Sequence, residues 1–411
     1  MKATRAATCL VTLALVGATA ACSSSSSGTS AASSGTSAAP AAGAGTPSAP
    51  FKMYAFMALS GPLAAVGAAM EQGLKAGVDV INAHGGVFGK PMTLDVMDDA
   101  GNPTQAATDA QNLVSSGTPM AVDPGTVSGE VDAALPVLAK SNVFVAYNTS
   151  DPQLNDPAKY PYSFSTAFAA TDPANSLATE FAAQGYKKVA VITTDDTAGH
   201  ALYQAEQTAY QAKGISSVVA YVSQSATSAT SQMLQVLASH PDALLLDTYG
   251  AAAVPVMAAK AELDPKIPVY GSQYLTANNL AQIAPAASYT GMKLQSIGLA
   301  VQGAAVTKTT AFTAMQNALL KETSGKLTFT IYTYTVAYDA VILAASAAKL
   351  ANSVNSQKMA AAIAHASTAQ IPLFVGPVNF TSTDHAPTFG PDYWSFVNYG
   401  PISNGMLVPT S

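Results

Sequence analysis

The chain has 411 residues, 24 of them acidic and 18 basic, and its formal net charge is −6. This acidic balance excludes the basic stripes that nucleic-acid binding requires, so we expect no nucleic-acid partner. The only two cysteines are Cys9 and Cys22, which leaves the chain beyond them without disulfides or thiolate metal sites.

The amino terminus is typical of an export signal. Lys2 and Arg5 form a positive start, and residues 6–17 form an apolar core that is shorter than the roughly 20 residues of a membrane-spanning helix. The segment TAAC at residues 19–22 resembles a lipoprotein signal-peptidase site. We therefore expect cleavage before Cys22 and lipid attachment to it; the alternative is an ordinary secretory signal in which this cysteine is incidental.

A stretch of small residues follows the signal. Residues 23–50 contain only Ser, Ala, Gly, Thr and Pro, with no charge and almost nothing to bury, which predicts a flexible tether. About 360 residues remain after it, enough for two domains of ordinary size. This order predicts an exported protein that contacts the extracytoplasmic face of the cell membrane only through its lipid.

Residues 53–99 predict a strand, a helix and a second strand. The segment 53–59 is apolar and suits a buried parallel strand. The apolar residues after it form one helical stripe: Val66, Met70, Leu74, Val78 and Ile81. A unit of this length is a right-handed crossover in a parallel sheet. Ligands of such sheets usually bind beyond the carboxyl ends of the strands, here beside Ser60.

The alternation of strands and helices continues along the chain. Further strands are predicted at 120–122, 142–146, 187–192, 218–222, 243–247, 267–271 and 291–301. Helices are predicted after Asn102, which suits a cap before a first-position proline, from about Val127, and over 201–212, 228–239 and 335–349. We expect the strand at 291–301 to return to the first lobe.

Three motifs in register carry a family resemblance: SGPLAAVG, INAHGGVFGKP and DDAGNP. They resemble the amino-terminal signature of type I periplasmic binding proteins, most closely the branched-chain amino-acid (Leu/Ile/Val) binding family of ABC transporters. The match is dense over residues 53–150 and continues more weakly to about residue 399. It implies an α/β fold of two doubly wound parallel-sheet lobes joined by a three-strand hinge, with closing strands at 378–380 and 393–398.

The resemblance also implies a division of the chain, with crossings between the lobes near residues 165, 290 and 378. The expected parts are a signal peptide over 1–21, a lipid-anchored linker over 22–50, a first lobe over 51–165 and 290–378, and a second lobe over 166–289 and 379–411.

The resemblance places the ligand contacts on strand-end loops of both lobes. The implied contacts are Ser60, Leu63, Val127, Ser128, Asn148 and Ser150 from the first lobe, and Ala198, Tyr249 and Gln273 from the second. Several have a plainer reading: Ser60 and Leu63 as parts of a turn, Ser128 as a helix cap, and Tyr249 as a half-buried loop residue.

Departures from the family pattern bear on the ligand. Ala198 stands where members that bind amino acids usually have an aromatic residue, and Gln273 stands where an acidic residue pairs the ligand's ammonium. A neutral amide cannot supply that charge-assisted bond. Arg5 is the only arginine, so the exported chain has no guanidinium to grip a carboxylate. We predict a small amino-acid-like, amide-like or weakly acidic organic ligand with an apolar part, rather than a leucine-like zwitterion.

No catalytic constellation is recognisable. The chain lacks G-x-S-x-G, H-E-x-x-H and P-loop motifs, and its five histidines lie far apart, so we expect no metal, no cofactor and no enzyme activity. The acidic pairs Asp98-Asp99 and Asp195-Asp196 suit loop capping. We interpret the protein as a solute-binding protein that presents a small molecule to an ABC permease. The alternatives are a sensor of the same fold that reports to a membrane receptor, an exported enzyme and, least favoured, a structural surface protein.

Overall fold

The structure is a computed structural model that describes residues 49–149, 151–276, 280, 284–389, 393–398, 400 and 402–409. All of these belong to one compact unit that extends over residues 46–411. The predicted signal peptide, Cys22 and nearly all of the predicted linker lie outside the described residues, as does Ser150.

The first sheet is parallel and has the strand order β2-β1-β3-β4-β5. Its strands are β1 (Lys52–Met57), β2 (Thr93–Asp98), β3 (Ala121–Asp123), β4 (Val145–Tyr147) and β5 (Ser163–Ser165). Its helices are α1 (Ala64–Ala83), α2 (Pro103–Ser116) and α3 (Ser128–Lys140). The chain leaves β1 toward β2 on one side and β3 on the other, so the switch point of the sheet lies at the carboxyl ends of β1 and β3.

The second sheet has the strand order β11-β10-β9-β8-β6-β7. Its strands are β6 (Lys188–Thr194), β7 (Ser216–Val222), β8 (Ala243–Asp247), β9 (Val269–Gly271), β10 (Lys293–Ile297) and β11 (Trp394–Asn398). All neighbours pair in parallel except β10 and β11, which are antiparallel. Its helices are α4 (Thr171–Ala183), α5 (Thr197–Ala212), α6 (Thr230–Leu237), α7 (Ala253–Leu263), α8 (Gln273–Thr276) and α9 (Ala286–Tyr289).

Three more helices and a small hairpin complete the described elements. They are α10 (Thr310–Glu322), α11 (Ile331–Ala351), α12 (Ser356–Ile363), β12 (Ile402–Ser403) and β13 (Met406–Leu407). Short 3-10 turns occur at Pro152–Leu154, Gly250–Ala252, Gly298–Ala300 and Ala305–Lys308. Helices cover both faces of both sheets: α1 and α11 oppose α2 and α3 across the first, and α6 and α7 oppose α4 and α5 across the second.

Local sequence signals account for several of these elements. The apolar stripe predicted between 66 and 81 lies on α1, where Met70, Leu74 and Ile81 are buried. Asn102 caps α2 as predicted, because its side-chain oxygen accepts from the backbone N–H of Thr104 at 2.9 Å. The acidic pairs act as loop caps: Asp98 accepts from three backbone N–H groups, and Asp196 accepts from the N–H of Gly199. Short-range hydrogen bonds therefore fix the starts of α2 and α5, whereas Asp98 ties the loop after β1 to the end of β2.

The longest helix, α11, is apolar on all sides. By length and composition it could cross a membrane, but 94% of its most apolar window is buried inside the protein. It is therefore a core helix in this structure, and it packs against α1. Helices that are apolar all round occur in the cores of large proteins as well as in membranes.

The chain passes between the sheets three times: after β5, after β10 and before β11. The predicted strand at 291–301 exists as β10, but it pairs with β9 and β11, so it belongs to the second sheet and the return comes only after Ile297. The predicted closing strand at 378–380 is wrong. There, Asn379 exchanges two side-chain hydrogen bonds with the backbone of Thr388, which hold the segment without a sheet ladder.

We expect Gly73→Ala to destabilise the protein. A Cβ at Gly73 would lie 2.0 Å from the backbone oxygen of Tyr334, so α1 and α11 would have to separate. We expect a loss of about 3 kcal/mol in the free energy of unfolding, measured by urea denaturation. Gly129→Ala is the matched control, because its Cβ would meet only Pro103 Cγ at 3.5 Å. Equal stability of the two variants would contradict the close packing of α1 on α11.

Candidate ligand-binding site

A cavity of about 110 Å³ lies where the carboxyl ends of the two sheets face each other. We name it the cleft cavity. Its walls come from the loops after β1, β3 and β4 of the first sheet, from those after β6 and β8 of the second, and from α1, α8 and α11. The two switch points therefore meet at one place, as expected for ligand sites of open α/β sheets.

The first-sheet wall is built around the start of α3. Val127 and Ser128 line the cavity beside Asn148 and Thr149, which follow β4. The hydroxyls of Ser128 and Thr149 are hydrogen-bonded to each other, and both residues are buried. Thr126, just before them, accepts from the N–H of Ala58 at 2.8 Å and so ties this loop to the end of β1. The polar groups of this wall are held in place before any ligand arrives.

The second-sheet wall centres on Tyr249. This half-buried residue follows β8, and its hydroxyl donates to Asp196, the residue that caps α5. Burial raises the pKa of Tyr249 well above its ordinary value, so the hydroxyl stays neutral. Ala198 and Leu202 of α5 complete the wall with apolar surface.

The two walls touch. A Cβ placed on Gly250, beside Tyr249, would lie 3.1 Å from Cδ2 of Leu63 in the first-sheet wall. Gly250 has a φ of +61°, a left-handed conformation that glycine adopts without strain. Contact between strand-end loops of different sheets means that the cleft is closed in this structure.

Long-range packing supplies the remainder of the lining. Phe329, Tyr332, Thr333 and Val336 approach from the start of α11, and Tyr274 from α8. Val66 and Met70 of α1 add aliphatic surface. Among the described residues that line the cleft cavity, none is charged. The cavity therefore combines apolar walls with hydroxyl and amide groups.

A second compartment of about 270 Å³ adjoins the cleft cavity, and we name it the outer cleft. The two share Leu63, Val127 and Ala198. Glu130 of α3 and Asp196 contribute one carboxylate from each side of the outer cleft. Glu130 is 1% exposed and accepts from the N–H of Val127 at 2.7 Å. Burial, the Val127 hydrogen bond acting in opposition, and the nearby carboxylate of Asp99 leave the pKa of Glu130 raised to about 7.

The structure brings together six of the residues predicted as ligand contacts. All six line the cleft cavity: Leu63, Val127, Ser128, Asn148, Ala198 and Tyr249. They come from five separate loops or helix starts, which the rule for strand carboxyl ends predicts to converge. Their contact with a ligand stays a prediction.

Three other predicted contacts lie elsewhere. Ser60 is exposed and outside the lining, with its N–H bonded to Asp98 at 3.2 Å, and Ser150 lies outside the described residues. Gln273 is fully buried and does not line the cavity. Its side-chain oxygen accepts from the N–H of Ile297 at 2.7 Å, so it fastens α8 to the end of β10, and its neighbour Tyr274 lines the cavity instead.

Sequence reasoning missed the aromatic and α11 contributions to the site. The predicted helix at 335–349 starts four residues later than α11, which left Tyr332 and Thr333 outside it. Tyr274 lies next to the predicted contact Gln273 in the sequence, which is a signal that one of the two could face the site. Among the described residues, no group of three or more His, Cys, Asp or Glu side chains could hold a metal ion.

Comparison with known proteins matches this architecture. The model of the family described as periplasmic binding protein covers residues 55–393. The chain belongs to the periplasmic binding protein family. The Leu/Ile/Val-binding protein BraC3 of Rhizobium johnstonii is 37% identical over 92 residues, 22% of this chain and 25% of the relative. The match thus spans about a quarter of the length of this curated relative.

Two solved structures show the same fold. A periplasmic binding protein type 1 from Bordetella pertussis has a TM-score of 0.75 at 18% identity, over 88% of this chain and 100% of its own. A solute-binding protein of an ABC transporter from R. palustris, in complex with benzoate, has a TM-score of 0.69 at 18% identity, over 88% and 95%. The fold of this chain is therefore the two-lobed type I fold that the sequence motifs predicted.

We expect Glu130 to make stability depend on pH. Its pKa is about 7 in the folded protein against 4.5 ordinarily, so the folded state holds this proton more tightly. The resulting stabilisation, about 3 kcal/mol, is complete below the ordinary pKa and is lost as the pH rises through about 7. Urea denaturation at a series of pH values should show a smaller decline for Glu130→Gln than for the wild type.

The control for this series is Asp132→Asn, an exposed acid on the same helix. It should follow the wild-type pH profile, because solvent screens its charge. A Glu130→Gln profile parallel to that of the wild type would show that Glu130 is not the titrating group.

Proposed function

We propose that this protein is an extracytoplasmic solute-binding protein of an ABC transporter. It would close its two lobes around a small organic molecule in the cleft cavity and present the closed form to a permease. The observation that carries the proposal is the cleft cavity itself, in which loops from both sheets surround apolar walls and a few hydrogen-bonding groups. Binding of this kind is noncovalent and requires no cofactor, and closure excludes water so that each hydrogen bond strengthens.

The lining favours a neutral or weakly acidic ligand with an apolar part. No charged side chain lines the described cleft cavity, and the outer cleft adds carboxylates rather than cations. A ligand carboxylate would therefore depend on hydroxyls, on the amide of Asn148 and on backbone N–H groups at the start of α3. A leucine-like ammonium would lack an acidic partner in the cleft cavity itself, since no carboxylate lines its described walls and Gln273 is a neutral amide bonded to Ile297.

The volume of the cleft cavity further limits the range of ligands. The cleft cavity of about 110 Å³ is of the order of an engineered apolar cavity of about 150 Å³ that binds benzene. Tyr249, Tyr274, Phe329 and Tyr332 offer aromatic surface on several sides of it. The structurally similar protein from R. palustris was solved with benzoate. These observations support a single-ring aromatic acid or amide as the ligand class of this protein.

A thermal-shift panel tests the ligand class. Benzoate and benzamide should raise the melting temperature more than leucine, isoleucine or valine at equal concentration. A ligand at about 100 times its Kd adds about 2.7 kcal/mol of stability. Asn148→Ala should reduce the shift because it removes an amide from the cavity wall, whereas Asp132→Asn should leave it unchanged. The largest shift from a branched-chain amino acid would refute the proposed ligand class.

We further propose that the protein is anchored through lipid on Cys22. The support is the TAAC segment after an apolar core and the uncharged tether that follows it. In cell fractionation, Cys22→Ser should move the protein from the membrane fraction to the soluble exported fraction. Cys9→Ser is the matched control and should remain with the membrane. Membrane retention of Cys22→Ser would contradict the anchor.

A further inference from the structure

A cavity of about 350 Å³ lies away from the cleft, where the first and third connections between the sheets meet. We name it the hinge cavity. The lining residues that matter here are Asp172, Ser176 and Glu180 of α4, and Phe389, Trp394 and Phe396 from the third connection and β11. It shares no lining residue with the cleft cavity or the outer cleft.

One carboxylate of the hinge cavity lacks a cation. Asp172 has a buried oxygen, Oδ2, without a hydrogen-bond partner among the described residues. Glu180 is different, because Lys293 pairs with it at 2.9 Å. No ion pair of Asp172 occurs in the described part of the chain. Burial raises the pKa of Asp172 to about 7, although hydrogen bonds from the backbone of Phe389 and Ala169 act in the opposite direction, because no cation offsets the burial of this charge.

The facing wall is aromatic. Phe389 and Trp394 pack against each other with ring centroids 6.1 Å apart, and Phe396 extends this surface along β11. Aromatic rings beside an unpaired carboxylate form the setting in which proteins bind ammonium groups, through cation–π attraction and a charge-assisted hydrogen bond.

We propose that the hinge cavity is a second ligand site, which binds a small organic ammonium ion through the Asp172 carboxylate and the aromatic wall. A bare metal ion does not fit, because no cluster of metal-ligating side chains occurs among the described residues. An anion does not fit either, because no cationic side chain is among the described residues that line the cavity, and Lys293, which lies beside it, is paired with Glu180. An ammonium ion would supply the positive charge that Asp172 lacks.

A single aromatic ring, that of Phe168, connects the hinge cavity to the cleft cavity. Phe168, in the first connection, packs edge-on against Trp394 at 4.9 Å and against Phe389 at 5.5 Å. The same ring stacks on Tyr332 at 5.7 Å and meets Tyr274 at 5.8 Å, both of which line the cleft cavity. Trp394 is the only tryptophan of the chain, so its fluorescence reports on the hinge cavity without interference from other indoles.

The test is a fluorescence titration of the full-length protein with benzylammonium chloride, in buffer above the pKa of Asp172. Benzyl alcohol, which has the same ring without the charge, is the ligand control. We expect a saturable change in Trp394 fluorescence with benzylammonium and an affinity at least about tenfold weaker for benzyl alcohol. No saturable change, or equal affinity for the two compounds, overturns the proposal.

Variants locate the site. Asp172→Asn should weaken benzylammonium binding at least about tenfold, because the amide keeps the size of the side chain and removes its charge. Asp95→Asn makes the same change in net charge on the exposed edge strand β2 and should bind like the wild type. Wild-type affinity in Asp172→Asn overturns the proposal.

Two further variants test whether a loss of binding reflects misfolding and whether the compound binds in the cleft cavity instead. Ser176→Leu fills the hinge cavity from the half-buried side of α4 and should also weaken binding, even if Asp172→Asn proves unstable. Asn148→Ala alters the cleft cavity and should leave benzylammonium binding unchanged. Loss of binding in Asn148→Ala, or wild-type binding in a folded Ser176→Leu, would place the ammonium elsewhere and overturn the proposal.

Discussion

The packing of Phe168 is the interaction on which the arrangement of the two lobes depends. This fully buried ring lies in the first connection between the sheets and contacts four others: Tyr274 of α8, Tyr332 of α11, Phe389 of the third connection and Trp394 of β11. Edge-to-face and offset ring pairs have preferred geometries, so the cluster favours a defined angle between the lobes. Two of these four rings line the cleft cavity, and the other two line the hinge cavity.

Electrostatics sets what the closed cleft can accept. Closure brings Glu130 of the first lobe and Asp196 of the second into one outer compartment, while no lysine lines the described walls and no arginine follows residue 5. Local hydrogen bonds partly offset the charge of these two carboxylates. Glu130 accepts from the N–H of Val127, and Asp196 accepts from Gly199 and Tyr249. The remaining negative potential disfavours strongly anionic guests, so recognition depends on shape and on hydroxyl and amide groups.

How far the sequence predicts this molecule depends on how local each signal is. The α1 stripe, the Asn102 cap and the strand-end positions of Ser128, Asn148 and Tyr249 follow from short-range patterns, and the structure has them where expected. The sheet to which β10 belongs depends on pairing with distant strands, which periodicity cannot reveal. The burial of Gln273 and the approach of Tyr332 to the cleft depend equally on tertiary packing. The family pattern assigns Gln273 a ligand contact. In the structure its side-chain oxygen accepts from the N–H of Ile297, and it does not line the cleft cavity.

The burial of Asp339 in α11 has a consequence for the route by which an exported chain reaches its destination. In the folded protein its carboxylate accepts from the N–H groups of Phe374 at 2.9 Å and Val375 at 2.8 Å, while burial raises its pKa to about 8. Before folding, the same 21-residue apolar segment must pass through the secretion channel without escaping sideways into lipid. An aspartate at the middle of such a segment opposes partitioning by about 2.5–3.5 kcal/mol. One side chain thus discourages arrest in the bilayer during translocation and later fastens a loop to the finished core.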